Sequence, residues 1–275
     1  IILVTFVLYF AQGIVIDDGL SDFWYNACFA IATILLLASA PMLAAYTDKH
    51  GGRKHFLRLA TVGTFIFYGL TALGAHLGGV SVVMVAILFI LGQYCYQLSF
   101  VFYNPMLDEI ADHSHRARAS GIGQLANAFG QAAGVLIVLP FAESRTLPLI
   151  IAVVVFFLLS LPMLIWYQES RTREKGIRFE TLRHETRQLA SRSMVFFRTS
   201  IAAPVLVAFF FFNDAMITVT NNYSIFMERI FGVADLTKSL ILLLIIATSA
   251  LGGIGFGWLG DRIGRVPVAA LHGPA

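Results

Sequence analysis

The chain has 275 residues, of which 58% are hydrophobic and only 13% are charged. A soluble globular domain has about 45–50% apolar and about 25% charged residues, so this composition excludes a soluble enzyme, a disordered tail and a nucleic-acid-binding domain. Lysine and arginine outnumber the acidic residues by only 19 to 16, and the two cysteines, Cys28 and Cys95, are too few for a disulfide framework or a thiolate metal site. The composition predicts a polytopic membrane protein.

Apolar stretches of membrane-spanning length recur along the whole chain. Crossing the hydrocarbon takes about 20 helical residues. Eight stretches reach or approach that length: 1–16, 24–47, 56–78, 80–103, 120–141, 146–167, 199–226 and 239–260. They are too long for membrane β-strands and lack a period of two. Because the chain starts at Ile1 inside an apolar run and ends just after a new one begins, we predict an all-α fragment of a longer protein.

The connections between these stretches alternate in charge. Sixteen of the 19 lysines and arginines fall in connections on one side, and only Arg145, Arg229 and Lys238 fall on the other. The positive-inside rule places the basic side in the cytoplasm. This alternation supports the count of stretches and predicts an integral multi-pass protein, located in the inner membrane if the cell is bacterial.

The segment 168–198 separates two parts of the chain and carries eight of the basic residues. Phe179, Leu182 and Leu189 fall on one face of a helix, which favours an amphipathic helix on the inner membrane surface. A solvated spacer is the alternative interpretation. We predict a six-helix bundle at 1–167 with its first helix clipped, a cytoplasmic linker at 168–198, and the start of a second, truncated bundle at 199–275.

Two short loops repeat one pattern, because each has an acid, a glycine turn and basic residues. The first runs from Asp48 to Lys54 and the second from Gly257 to Arg265, with Asp261 placed 213 positions after Asp48. This spacing indicates a duplicated six-helix unit. The cations suit carboxylates or helix C-termini across the bundle interface. The predicted cytoplasmic gate consists of Asp48, Gly51, Arg53, Lys54, Asp261, Arg262, Gly264 and Arg265.

These paired loops resemble the signature loop of the major facilitator superfamily. The second, GWLGDRIGR, fits closely, whereas the first has Gly52 where the family usually has arginine. Three segments, 40–57, 102–124 and 209–219, resemble the vacuole effluxer branch, which includes autophagy-linked amino-acid permeases and bacterial relatives. The resemblance implies an alternating-access transporter with about eight of its twelve transmembrane helices present, exporting an amino acid or another small metabolite.

Asp214 is the one acidic residue well inside an apolar stretch. A carboxylate at membrane depth costs about 2.5–3.5 kcal/mol on insertion scales, so Asp214 should face the bundle interior. Because burial disfavours the ionised form, we expect it to bind protons or a cationic substrate group, with a purely structural role as the alternative. Thr218 and Asn221 share its helix face, and Asn213 lies on a second polar stripe. The pair Asn221–Asn222 predicts a local break in this helix.

Uncharged amides mark one side of two other stretches. Gln124, Asn127 and Gln131 share one helix face, and Gln93 and Gln97 lie one turn apart. Amides suit a zwitterionic or neutral polar solute, although they also hold helices together. Glycines 123, 130 and 134 are predicted to admit a neighbouring helix closely. The predicted substrate-binding or coupling residues are Asp214, Asn213, Thr218, Asn221, Gln124, Asn127, Gln131, Gln93 and Gln97.

The predicted cavity lies between the two halves, lined by the stretches 1–16, 80–103, 120–141 and 199–226. The chain has no nucleophile elbow, Walker loop or dinucleotide fingerprint, and the acids and histidines at 108–115 lack metal-binding spacing. We therefore predict neither an enzyme nor a cofactor or metal. The expected partners are a small-molecule substrate, protons and membrane lipids, with no nucleic acid, and the protein should be a monomer. A passive facilitator or channel, and a non-transporting receptor or scaffold derived from a carrier, remain as alternatives.

Overall fold

A computed structural model describes residues 22–77, 81–106, 116–138, 140, 147–167 and 179–263. Within these ranges the chain is helical and contains no strand. Its helices are α1 (Asp22–His50), α2 (Arg53–Leu77), α3 (Val82–Tyr103), α4 (Arg116–Val138), α5 (Leu147–Trp166), α6 (Phe179–Thr199), α7 (Ala202–Phe231) and α8 (Asp235–Ile263). A short 3₁₀ turn, Asn104–Met106, follows α3.

Five of the described helices are long and apolar enough to cross a membrane. The spans are Phe23–His50, Arg53–Leu77, Val82–Met106, Leu147–Trp166 and Ala202–Thr220. They coincide with five of the predicted stretches and confirm an all-α polytopic membrane protein. The stretch 120–141 corresponds to α4, and α8 contains a shorter apolar part, Leu236–Gly252. The stretches 1–16 and 108–115 lie outside the described residues.

Short turns and side-chain caps fix the helix boundaries. Gly51 and Gly52 have φ angles of 72° and 87°, in the left-handed region that glycine tolerates, so α1 connects to α2 through two residues. Ser81 caps the N-terminus of α3, because its hydroxyl accepts a hydrogen bond from the Met84 amide at 3.3 Å. These two features set the end of α1 and the beginning of α3.

The core of the first part lies among α1, α2, α3 and α5. In this group α2 contacts both α3 and α5, and α3 also contacts α1. One apolar cluster centres on Tyr68, Phe89 and Leu149, and a second includes Leu57 and Phe102. Burial of large aromatic and aliphatic side chains on both clusters makes these four helices a packed wall.

The helices α6, α7 and α8 pack less extensively against these four helices. Helix α8 packs on α4, and α6 contacts α1 and α7. The phenylalanines Phe209–Phe212 of α7 are each 62–66% exposed, an apolar surface suited to lipid or to further helices. The segment 179–199 is a helix, whereas its position at the membrane surface and the division into three domains stay predictions.

Candidate functional site

A cavity of about 1160 Å³ opens between α1, α3, α4 and α7. Ligand pockets typically have volumes of about 300–1000 Å³, so this one admits a small solute together with water. The helices α3, α4 and α7 correspond to three of the stretches predicted to line it. The fourth wall comes from α1, which was not predicted, and the predicted stretch 1–16 lies outside the described residues.

Most of the predicted binding residues are brought together in this cavity. Those that line it are Asp214, Thr218, Gln93, Gln97, Asn127 and Gln131. Asn213 lies on α7 but is not among the lining residues. Gln124 and Asn221 belong to α4 and α7, and their side chains lie outside what the structure describes.

Helix α7 contributes a polar stripe to the cavity. Asp214, Thr218 and Asn222 line it at intervals of four residues, which places them on one helix face. The predicted break at Asn221–Asn222 is wrong, because α7 continues from Ala202 to Phe231. The Asn222 amide nitrogen donates instead to the Thr218 carbonyl at 3.0 Å, within the helix. Among the lining residues that the structure describes, Asp214 alone carries a formal charge.

Helix α3 presents two amides that are held differently. Gln93 is only 2% exposed, and its Oε1 accepts a hydrogen bond from the Tyr68 hydroxyl. The Nε2 atom of Gln97 is buried and has no hydrogen-bond partner within the described part of the chain. The amide of Gln93 is therefore oriented by Tyr68, whereas the NH₂ group of Gln97 has no acceptor among the described residues.

Tyr68 was not predicted as a functional residue, although it holds Gln93 in place. Its ring is 1% exposed and lies 6.1 Å from the Phe89 ring and 6.4 Å from the Tyr96 ring, centre to centre. A Cβ atom at Gly92 would lie 2.5 Å from Cδ1 of Tyr68, so only glycine allows this approach. Sequence patterns show a tyrosine in an apolar stretch but not its partner on another helix.

Helix α1 adds polar groups that the sequence analysis missed. Asn26 and Thr33 line the cavity seven residues apart, on one helix face. The Thr33 hydroxyl also donates to the Phe29 carbonyl at 3.0 Å. The available signal was this pair of polar residues at helical spacing in an otherwise apolar stretch.

The expectation that glycines of α4 admit a neighbouring helix is wrong for Gly123 and Gly130. Within the part of the chain that the structure describes, a Cβ atom at either position would meet no other atom within 4 Å. Gly123 lines the cavity instead, where the missing side chain leaves more room for a solute. Gly134 is buried.

The first gate loop is a tight turn closed by an ion pair. The Arg53 Nη2 atom lies 2.5 Å from the Asp48 Oδ1 atom. Gly51 and Gly52 are buried and both have positive φ angles. This geometry accounts for glycine at position 52, because a side chain is strained in the left-handed region.

Cations at the start of α2 bind the last turn of α5. Lys54 Nζ donates to the Tyr167 carbonyl and lies 3.4 Å from the Ile165 carbonyl oxygen. Arg58, which was not predicted as a gate residue, donates to the Leu164 carbonyl through Nε at 3.2 Å and Nη2 at 3.0 Å. Positive charge is stabilising at a helix C-terminus, whose last carbonyls lack partners within the helix.

The second gate loop is described only in part. Asp261 and Arg262 lie in the last turn of α8, with side chains outside the described residues. Gly264 and Arg265 follow beyond the described range. The role of this loop stays a prediction.

The fold and the cavity agree with a comparison to known families. A family model described as Major Facilitator Superfamily matches residues 1–273. The chain belongs to the major facilitator superfamily. It is therefore a multi-pass membrane protein of a family of secondary transporters, which bind small-molecule substrates and are not enzymes. No curated protein and no solved structure gives a significant match.

Proposed function

We propose that the chain is an alternating-access carrier that exports a small polar metabolite, an α-amino acid in particular. The observation that carries this proposal is the shared cavity, where Asp214 of α7 and the amides of α3 and α4 line one space. Amides and a single carboxylate suit a solute that needs several hydrogen bonds and has a cationic group. Likeness to the vacuole effluxer branch supports export.

Coupling to protons is the proposed role of Asp214. A carboxylate within a membrane-spanning helix is costly and marks a pathway for a substrate or an ion. Because the side chain faces the cavity, it can hold either a proton or the amino group of a substrate. Exchange between these two occupants would link proton entry to substrate release.

The gate loops are proposed to close the cytoplasmic side when the cavity opens outward. The ion pair of Asp48 with Arg53 and the contacts of Lys54 with α5 support this role for the first loop. The second loop would act in the same way through Asp261 and Arg262. As part of this proposal, the linker 168–198 lies in the cytoplasm, the membrane is the inner membrane of a bacterium, and the carrier is a monomer.

Proteoliposomes of the full-length protein with an internal pH-sensitive dye test this function. Each of the common L-amino acids is added outside, and wild type is compared with Asp214→Asn. We expect a substrate-dependent pH change in wild type and its loss in the variant. Thr220→Val is the matched control, because its hydroxyl bonds within α7 to the Met216 carbonyl and does not line the cavity.

The other two functions give different results in the same assay. A passive facilitator would transport the amino acid equally well in wild type and Asp214→Asn, without a pH change. A receptor or scaffold would transport no amino acid at all. Either result would contradict proton-coupled transport through Asp214.

A further inference from the structure

We propose that the cavity binds a zwitterion by its two charged ends, with amide donors of α3 holding the carboxylate and Asp214 of α7 holding the amino group. This inference rests on the proposed function and names the substrate class of the same cavity. It assigns Gln93 and Gln97 as the residues that recognise the carboxylate, and Tyr68 as the residue that positions Gln93.

The orientation of Gln93 follows from its hydrogen bond to Tyr68. The Tyr68 hydroxyl donates to Oε1 of Gln93, so the oxygen of this amide is already occupied. The group that Gln93 can offer to a ligand is therefore its NH₂, which is a donor. Tyr68 cannot move aside easily, because it is 1% exposed and packed against Gly92.

Gln97 offers a second donor one helical turn away. Its Nε2 atom is buried beside the cavity and lacks an acceptor within the described part of the chain. A buried donor without a partner is costly, so a ligand acceptor that fills this place gains binding energy. Two NH₂ groups at positions i and i+4 lie on one helix face, as two oxygens of a carboxylate require.

Among the described lining residues, Asp214 is the one charged group that can bind the positive amino end of the substrate. Asp214 is an acceptor with a negative charge, and Thr218 and Asn222 extend the same face of α7. No lysine or arginine occurs in the described lining, so the carboxylate of a substrate must rely on neutral donors. The amide donors of α3 therefore bind the carboxylate of the substrate, and the polar face of α7 binds its ammonium group.

Aromatic side chains leave room for an apolar substituent. Phe29 of α1 and Tyr96, Phe100 and Tyr103 of α3 line the cavity. The Tyr96 and Phe100 rings meet edge to face with centres 5.1 Å apart. The substrate is accordingly an α-amino acid whose side chain is apolar or aromatic.

Three ligands that share one side chain test the proposal by calorimetric titration of the full-length protein in lipid nanodiscs. L-phenylalanine carries both charges, phenethylamine lacks the carboxylate, and 3-phenylpropanoate lacks the amine. In Tyr68→Phe, we expect the affinity for L-phenylalanine and 3-phenylpropanoate to fall about five- to tenfold, and that for phenethylamine to stay within about twofold. Tyr94→Phe is the matched control, because the Tyr94 hydroxyl pairs with Ser39 at 2.9 Å and does not line the cavity.

A second variant keeps the test decisive if Tyr68→Phe does not fold. Gln97→Glu replaces the NH₂ donor by an acceptor, so it should abolish 3-phenylpropanoate binding and preserve phenethylamine binding. Asp214→Asn should show the reverse selectivity. If the affinities for all three ligands fell equally in these variants, the zwitterion assignment would be overturned. Amino-acid uptake in liposomes would in that case still uphold the proposed function. Absence of both binding and uptake would overturn both.

Discussion

Gly92 shows how one residue determines the arrangement of the binding residues on α3. A methyl group there would lie 2.5 Å from Cδ1 and 2.8 Å from Cε1 of Tyr68. The Tyr68 ring would have to shift, and its hydroxyl would move away from Gln93. The identity of this glycine therefore determines both the packing of α2 against α3 and the orientation of an amide in the cavity.

Gly92→Ala is expected to lower the midpoint of thermal unfolding by about 2–10 °C, because overpacking a core typically costs about 1–3 kcal/mol. Intrinsic fluorescence of the detergent-purified protein measures this midpoint. Gly130→Ala is the matched control, since a Cβ atom there meets nothing within 4 Å among the described residues and alanine favours the helix. An unchanged midpoint in Gly92→Ala, or an equal fall in both variants, would contradict the close approach of Tyr68.

Single residues were predictable where polarity alone identified them. Asp214 is recognisable as the one acid inside an apolar stretch, and the structure does place it in the cavity wall. Tyr68 was not recognisable, because its role depends on Gln93, which lies 25 residues away on another helix. Asn26 was overlooked because it lies close to the acidic end of its stretch, where a polar residue needs no special explanation.

At the scale of helices, the last turn of α5 depends on cations from α2. Arg58 places two nitrogens within 3.2 Å of the Leu164 carbonyl oxygen, and Lys54 covers the carbonyls that follow. These contacts join the gate loop to the end of α5. A movement of the loop must therefore pull on α5 or break these hydrogen bonds.

Arg58→Gln is expected to increase backbone hydrogen exchange in the last turn of α5 by about two- to fivefold, because a cation at a helix C-terminus contributes about 0.3–1 kcal/mol. Exchange mass spectrometry of peptides covering 160–167 measures this change. Arg187→Gln on the exposed part of α6 provides the matched control. If protection in these peptides were the same in all three proteins, the cap would have no effect on α5.

Helices were the features best predicted from sequence. The stretches 56–78 and 146–167 differ from α2 and α5 by at most three residues at each end. Long apolar runs bounded by charge define such elements regardless of their partners. Which helices pack against one another was less predictable. Gly123 was expected at a contact between helices and lines the cavity instead. The spacing of glycines does not show which helix a glycine faces.

At the scale of the whole molecule, the lining of the cavity is determined by which faces of α1, α3, α4 and α7 point toward it. Sequence patterns indicated polar faces on three of these helices. They did not select α1, whose lining residues include apolar Phe29 and Ile34 beside Asn26. In a chain that is 58% hydrophobic, lipid-facing and cavity-facing surfaces differ by only a few side chains.

Alternating access through this cavity is the central claim, and the accessibility of Ala126 tests it most directly. Ala126 lines the cavity on α4, whereas Phe129, on the same helix, is 73% exposed and does not line it. Cysteine is placed at either position in a background with Cys28 and Cys95 changed to alanine. A membrane-impermeant maleimide is then applied from each side, with and without the transported amino acid.

We predict that the cysteine at position 126 reacts from one side at a time and that the amino acid shifts the balance between the two sides. The cysteine at position 129 should not respond to the amino acid. Simultaneous reaction from both sides would indicate a channel. Reaction from a single side that the amino acid leaves unchanged would contradict transport through this cavity.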